Sequence, residues 1–453
     1  MSRIKGCITI GILIISWCLM FWITGSRTPW QTFSSSDRGD EVSVFLGDIP
    51  SENYDRMGFT KGLIEYIDNE NAWLVGTDRG ELFLFDNDGK QIWKRSLGIG
   101  KLVSMCVSHD EKIAFIGEQS PSGNLYAIDI AGGDILWKFA AANVVGAEPA
   151  KRSYPSIVHI CIDQNDNVYA NAYRFVTAKD GSRGYNGKAV AFNKNGDQLW
   201  QFPQNENIDS WINWCDVNDN NGKVVLSTSA YEIRPDMKYR DTMYLINKET
   251  GQLINSVDVL PVAPFENTVM RGSPNFCSDG RGLLFDGSGK VLWQRELSKP
   301  TQIDDAWINA SGRDGFAVDA GVIFTTINTF NRENWQLPTP VEHPSNNSMF
   351  VFNYDGTFKY KYKALGTMEQ IDFSGNIAAC AVGRNVRTHN YAAHGAVVID
   401  LNDGAELNFF HTDGPLQAVA ISTNGRNVAG IEAPAVTPDG KIIGAYKLHI
   451  WHR

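Results

Sequence analysis

Positive charge is in short supply in this chain. Its 453 residues carry 41 Lys+Arg against 51 Asp+Glu, a formal net charge of −10. Residues 1–27 hold Arg3, Lys5 and Arg27 and no acid, so the remainder has 38 basic against 51 acidic residues, or −13. Such a field repels a phosphate backbone, and no nucleic-acid partner is expected. Cysteine is also sparse: seven residues, no two adjacent, and no Cys-x-x-Cys-His, which excludes covalently attached haem. The five beyond the first 24 residues (Cys106, Cys161, Cys215, Cys277, Cys380) are odd in number and fit no zinc-ligand spacing. Helical periodicity is missing from everything after residue 27. The single long uncharged apolar run is CITIGILIISWCLMFWIT (7–24).

That run has 18 residues. It is longer than the usual signal-peptide core and slightly shorter than a full span of about 20 residues. Arg3 and Lys5 precede it and only Arg27 follows closely, so the positive-inside rule puts the N-terminus in the cytoplasm and the rest outside. The expectation is a signal-anchor or transmembrane helix over 1–27, contacting the membrane through residues 7–24. A cleaved signal ending near Thr24-Gly25-Ser26 is the alternative, and a buried core helix is a third reading. TPWQTFSSSDRGD (28–40) is polar and reads as a linker.

What is abundant is a repeat. An apolar strand ends in Asp or Asn, a glycine turn follows, and a second strand carries an aromatic at a fixed place. The clear copies are LFLFDNDGKQIW (82–93), LYAIDIAGGDILW (125–137), AVAFNKNGDQLW (189–200) and LLFDGSGKVLW (283–293). Weaker copies are MYLINKETGQLIN (243–255), MFVFNYDGTFKY (349–360) and VVIDLNDGAELN (397–408). Asp and Asn bond to their own turn backbone and Gly accepts positive φ, so the pair closes a hairpin. The aromatic is expected to pack between neighbouring repeats. Strands such as LVSMCVSHD (102–110), IVHICIDQND (157–166), WINWCDVND (211–219) and LQAVAISTNG (416–425) precede the copies and read as innermost strands.

These units give an all-β fold, an eight-bladed β-propeller over 41–453, with seven blades as the alternative because the unit near 262–297 is short. The C-terminal remainder supplies only three strands. EVSVFLGD (41–48) otherwise has no blade, so it is expected to complete the last one and close the ring. A sandwich of unrelated hairpins is the competing reading, but it does not require a recurring Trp at one register.

The repeat resembles the W-motif of quinoprotein-like (PQQ-like) β-propellers, roughly Ala-x-Asp-x-x-Thr-Gly-x-x-x-Trp. AIDIAGGDILW (127–137) matches it with Gly132 in the Thr place, and LINKETGQLIN (245–255) keeps Asn247, Thr250 and Gly251 but ends in Asn255. The resemblance covers most of 41–453 and implies the fold, not an activity, because the family includes quinone-dependent dehydrogenases and non-catalytic members. The dehydrogenases carry adjacent cysteines near the cofactor. None are adjacent here, so PQQ is not expected, no cofactor or metal is assigned, and no catalytic residue is named. Cys106, Cys161, Cys215 and Cys277 occupy similar places in successive units. They are expected to be buried thiols too far apart for a disulfide, with a metal or redox cluster as the alternative.

The long insertions fall between the second and third strands of a unit: Tyr173–Gly187, Tyr231–Asp241, Asn328–Asn347, Arg384–Gly395 and Glu432–Gly440. In a propeller these emerge on one face with the connections between units. Their candidate binding residues are Arg174, Arg183, Tyr185, Arg234, Tyr239, Arg240, Trp335, Arg384, Arg387, His389 and Tyr391, joined by Tyr154, Trp211 and Trp307 from the inter-unit connections. Aromatics mixed with arginine suit a protein or glycan interface, though ordinary surface decoration is the competing reading. His389 and His394 also make a candidate general base or anion site. Asn309-Ala310-Ser311 and Asn346-Asn347-Ser348 fit glycosylation sequons. The expected role is a membrane-anchored, extracytoplasmic protein-binding scaffold or accessory subunit of an envelope or membrane complex. An extracytoplasmic enzyme or ligand-binding protein with its site at the propeller channel is the alternative.

Overall fold

The computed structural model describes residues 41–49, 62–147, 154–177, 181, 183–229, 242–258, 275–278, 280–303, 306–329, 342–383, 393–437 and 439–453. The chain divides into two units, Met1–Arg38 and Gly39–Arg453. The hydrophobic helix expected over 7–24 and the linker over 28–40 lie outside the described residues. Among the described residues no helix is long and apolar enough to cross a membrane.

The repeat builds one kind of sheet again and again. Leu63–Ile67, Ala72–Gly76, Glu81–Asp86 and Gln91–Ser96 pair in chain order, all antiparallel. The two middle strands are almost wholly buried, whereas the last alternates and faces solvent. That is why the third strand of each unit reads as an unbroken apolar run. The same order recurs over 101–140, 156–202, 211–258 and 367–411, the sheets over 101–140 and 156–202 meeting at one pair, Ser156 opposite Gln119. The turns form as their residues demand. In the first sheet the Asp86 carboxylate accepts the backbone N–H groups of Asp88 (3.0 Å) and Lys90 (2.8 Å), and Gly89 takes φ +74°.

The recurring tryptophan joins each sheet to the next. Trp93 Nε1 donates to the Ile130 carbonyl (2.9 Å), Trp137 to Lys194 (2.9 Å), Trp200 to Lys248 (2.8 Å) and Trp293 to Tyr354 (2.9 Å). Every acceptor lies in the hairpin turn of the following sheet. The turn glycine sits under the ring: a Cβ on Gly133 would lie 3.0 Å from Trp93, and one on Gly196 2.7 Å from Trp137. Glycine and tryptophan therefore recur together because each fills the space the other leaves, across a sheet boundary. Asn255, in the Trp place, still donates from Nδ2 to the Ser288 carbonyl in the next turn (3.2 Å).

Two sheets depart from the four-strand pattern. Over 275–296 there are three strands, the first of which, Asn275–Ser278, packs against the first long strand of the following sheet as other inner strands do. It pairs directly with Arg281–Phe285, so among the described residues this sheet has one strand fewer than the others. Over 301–363 there are five strands, including the 13-residue Ala306–Val318.

The two chain ends of this unit close on each other. Glu41–Phe45 pairs antiparallel with Lys447–His452, Glu41 opposite Trp451 and Phe45 opposite Lys447, and completes the sheet of Leu416–Ile421 and Asn427–Glu432. This is the pairing expected for residues 41–48. The first and closing sheets share one core, in which Trp73, Phe83 and Phe85 meet Ala418, Ile431, Leu448 and Ile450, with Val42 and Val44 packed against them. His449 fastens the added strand: its ring bonds Glu41 (2.7 Å) on one side and the wholly buried Glu432 (2.6 Å) on the other.

Candidate functional site

Within the segment Tyr173–Gly187, read from sequence as an insertion between strands, residues 173–177 and 183–187 are instead the outer part of a ladder. Val168–Thr177 and Arg183–Phe192 each run ten residues and stay paired from Val168 opposite Phe192 to Thr177 opposite Arg183. The alternation Tyr-Arg-Phe-Val-Thr is good strand material, and its partner Arg-Gly-Tyr-Asn-Gly supplies cross-strand contacts. Phe175 lies opposite Tyr185 with ring centroids 4.9 Å apart. Tyr173 touches Phe175 (5.8 Å), Tyr185 (6.1 Å) and, across the sheet boundary, Trp211 (6.4 Å). Tyr173 and Tyr185 are buried, and burial pushes the Tyr173 phenol up to about 12. Phe175 and Trp211 are half-buried.

The opposite face of the ladder docks on an inter-sheet connection. Arg174 Nε donates to the Val145 carbonyl (2.6 Å), and Asn186, directly across the ladder, donates to the same oxygen (3.3 Å). Val145 ends the short helix Ala142–Val145, which links the second sheet to the third. Hairpin and connection thus share one side, as the propeller reading expects. Tyr154, half-buried, precedes the inner strand Ser156–Ile162.

Of the candidates named from sequence, Tyr185 and Trp211 are brought together around Tyr173, whereas Arg174 lies on the ladder's opposite face. Arg183 and Trp307 lie on strands, Arg183–Phe192 and Ala306–Val318. Arg234, Tyr239, Arg240, Trp335, Arg384, Arg387, His389 and Tyr391 lie outside the described residues. His394, the neighbour of the His389 cluster, is buried. The structure adds Tyr173 and Phe175, whose signal was the i, i+2 aromatic spacing. Asn346 is wholly buried, which leaves its sequon no room for a glycan.

A second set of residues lies on the inner strands, where the pairing register slips at one repeated place. The skipped residues include Val158, Asn213, Glu369 and Gln417, and two together, Arg313 and Asp314. A bulge leaves its extra residue out of the ladder and re-aims it. Arg313 and Glu369 use this to bond across neighbouring sheets (2.7 Å). Cys161 and Cys215, expected to lie too far apart for a disulfide, are free thiols with their Sγ atoms 3.6 Å apart. Inner strands converge where sheets meet, closer than the spacing of outer strands suggests.

The family model described as outer membrane protein assembly factor BamB matches residues 30–328. The chain belongs to this PQQ-like propeller family. No curated protein matches it significantly. Among solved structures, BamB from Moraxella catarrhalis aligns at TM-score 0.50 and 14% identity, covering 91% of this chain and 98% of that one. The propeller of Dos1 aligns at TM-score 0.55 and 12% identity, covering 87% and 92%. At such identities the likeness shows the fold alone, a β-propeller. The BamB-family match ends at residue 328, yet the sheet over 367–411 and the closing sheet repeat the same strand order.

Proposed function

We propose that this chain is a membrane-tethered, extracytoplasmic propeller of eight blades that serves as a protein-binding accessory subunit of an envelope or membrane complex. Counting 101–140 and 156–202 as two blades gives eight among the described residues, and the shared core of first and closing sheets supports reading them as a ring. The tether rests on the apolar run at 7–24 and its flanking charges. The scaffold role rests on membership of the BamB family. The observation that carries the binding site is the elongated hairpin of the third blade, with the half-exposed Phe175 and Trp211 held over buried Tyr173 and Tyr185. Rigid aromatic anchors on a braced ladder lose little side-chain entropy on binding, which is how a few residues come to dominate an interface.

The test uses full-length protein in its native membrane, with a photo-crosslinking residue at Thr177 on the hairpin or, as control, at Leu136 on an outer strand. The expected result is one discrete protein adduct from Thr177 and none from Leu136. F175A/W211A should weaken co-purification of that partner by tenfold or more while the protein stays folded. Equal crosslinking at both places, or unchanged co-purification in the double variant, overturns the site.

A further inference from the structure

Cys161 and Cys215 lie on the inner strands of adjacent sheets, Ser156–Ile162 and Trp211–Asn218, with sulfurs 3.6 Å apart and both residues buried. His159 approaches the same sulfur: its Nδ1 is 3.6 Å from Cys215 Sγ, and its ring lies against Trp214. Asn171 pairs directly across from His159 and so faces the same way; it is wholly buried, and neither its amide nitrogen nor its oxygen has a protein partner. Two sulfurs, an imidazole and an unmet amide thus converge at one sheet boundary. Among the described residues no three His, Cys, Asp or Glu side chains are arranged to hold a metal ion. A covalent bond between the sulfurs needs an S–S distance of about 2.05 Å, so the two must approach further from the 3.6 Å at which they stand.

We propose that Cys161 and Cys215 are a redox pair that a hydroperoxide converts into a disulfide between the third and fourth sheets, with Cys215 the sulfur that reacts first. The local field assigns the order. Burial works to raise the Cys215 thiol, but hydrogen bonds from Cys161 and His159 and the charge of His159 outweigh it and hold it down at about 6. Burial, and the hydrogen bond and charge of Cys215, push Cys161 the other way. One thiolate and one thiol is the arrangement that peroxide chemistry requires. The Cys215 thiolate attacks one peroxide oxygen, forming S–O and breaking O–O. The oxygen that leaves takes the proton held by His159 and departs as water or, from an organic peroxide, as the alcohol. Cys161 Sγ then attacks the Cys215 sulfenic sulfur, forming S–S and breaking S–O, and its own proton leaves with that oxygen as water. Two thiols lose two electrons and the peroxide gains them.

The experiment treats the reduced full-length protein with hydrogen peroxide, quenches it under denaturing conditions with an alkylating agent, and maps peptides by mass spectrometry. The expected product is a crosslinked peptide joining the segments that hold Cys161 and Cys215, reversed by dithiothreitol, with Cys106 and Cys380 still alkylated. H159Q should slow formation tenfold or more near neutral pH and less at alkaline pH, where the thiolate forms unaided. C106S should form the crosslink at the wild-type rate. Full alkylation of both cysteines after peroxide, a Cys106–Cys161 crosslink, or Cys215 driven to sulfinic acid without a crosslink each overturns the proposal. The reading is independent of the binding face, since neither Phe175 nor Trp211 takes part in it.

Discussion

Gly196 and Gly222 both hold positive φ, +93° and +64°, but they differ in what surrounds them. A Cβ on Gly196 would strike the Trp137 ring at 2.7 Å, whereas nothing lies within 4 Å of one on Gly222. Gly222→Ala should cost only the left-handed backbone penalty of about 1–2 kcal/mol. Gly196→Ala should cost clearly more, because the ring must move as well; chemical denaturation of the two variants measures the difference. His449 gives a pH signature. Burial works against its charge, but bonds to Glu41 and Glu432 and their negative charges prevail and raise it above the ordinary imidazole range. A raised histidine contributes stability that is full below its unfolded value, near 6.5, and is lost as pH rises through the folded value. Wild-type stability should therefore fall with pH above about 6.5 by a term that His449→Gln lacks. The same substitution leaves Glu432 buried opposite a neutral partner.

The hairpin motif was legible because its signals are local: Asp or Asn, a glycine two to four residues on, and an aromatic after it all act within one turn. What each aromatic touches was legible only in outline, since the acceptor lies in the next sheet, 37 residues on for Trp93. The Asn255 copy shows how the element tolerates loss. Its side chain keeps the bond to Ser288 without the ring, so Asn255→Ala should cost about 1 kcal/mol. Trp200→Ala, which removes a buried ring, should cost about 3–5 kcal/mol. Equal costs in a denaturation series would mean that the ring's packing contributes nothing. The segment 173–187 was misread as a loop for a physical reason. Ladder residues beyond the core alternate polar with aromatic as an exposed loop does, and only the pairing partner tells them apart. The inner-strand bulges at Val158, Asn213 and Glu369 were equally hidden, because one extra residue between apolar neighbours leaves no trace in composition. The meeting of Cys161 with Cys215 was missed with them.

At the scale of the whole molecule, closure was legible by counting: three strands at one end and an orphan strand at the other. The unpaired edge that the closing sheet would otherwise expose gives the pairing its value. His449, Val42 and Val44 give it chemistry, and that specificity was visible only in the structure. The proposed binding face depends on this ring, because the relative placement of hairpin and connections follows from it. Hydrogen exchange of the full-length protein, followed by mass spectrometry, addresses closure directly. Amides of 41–46 should exchange as slowly as those of 447–452, and Val44→Asp should release both together while the sheet over 156–202 keeps its protection. Exchange of 41–46 at the rate of an open chain, with 447–452 still protected in the wild type, would contradict a ring sealed by its own first strand.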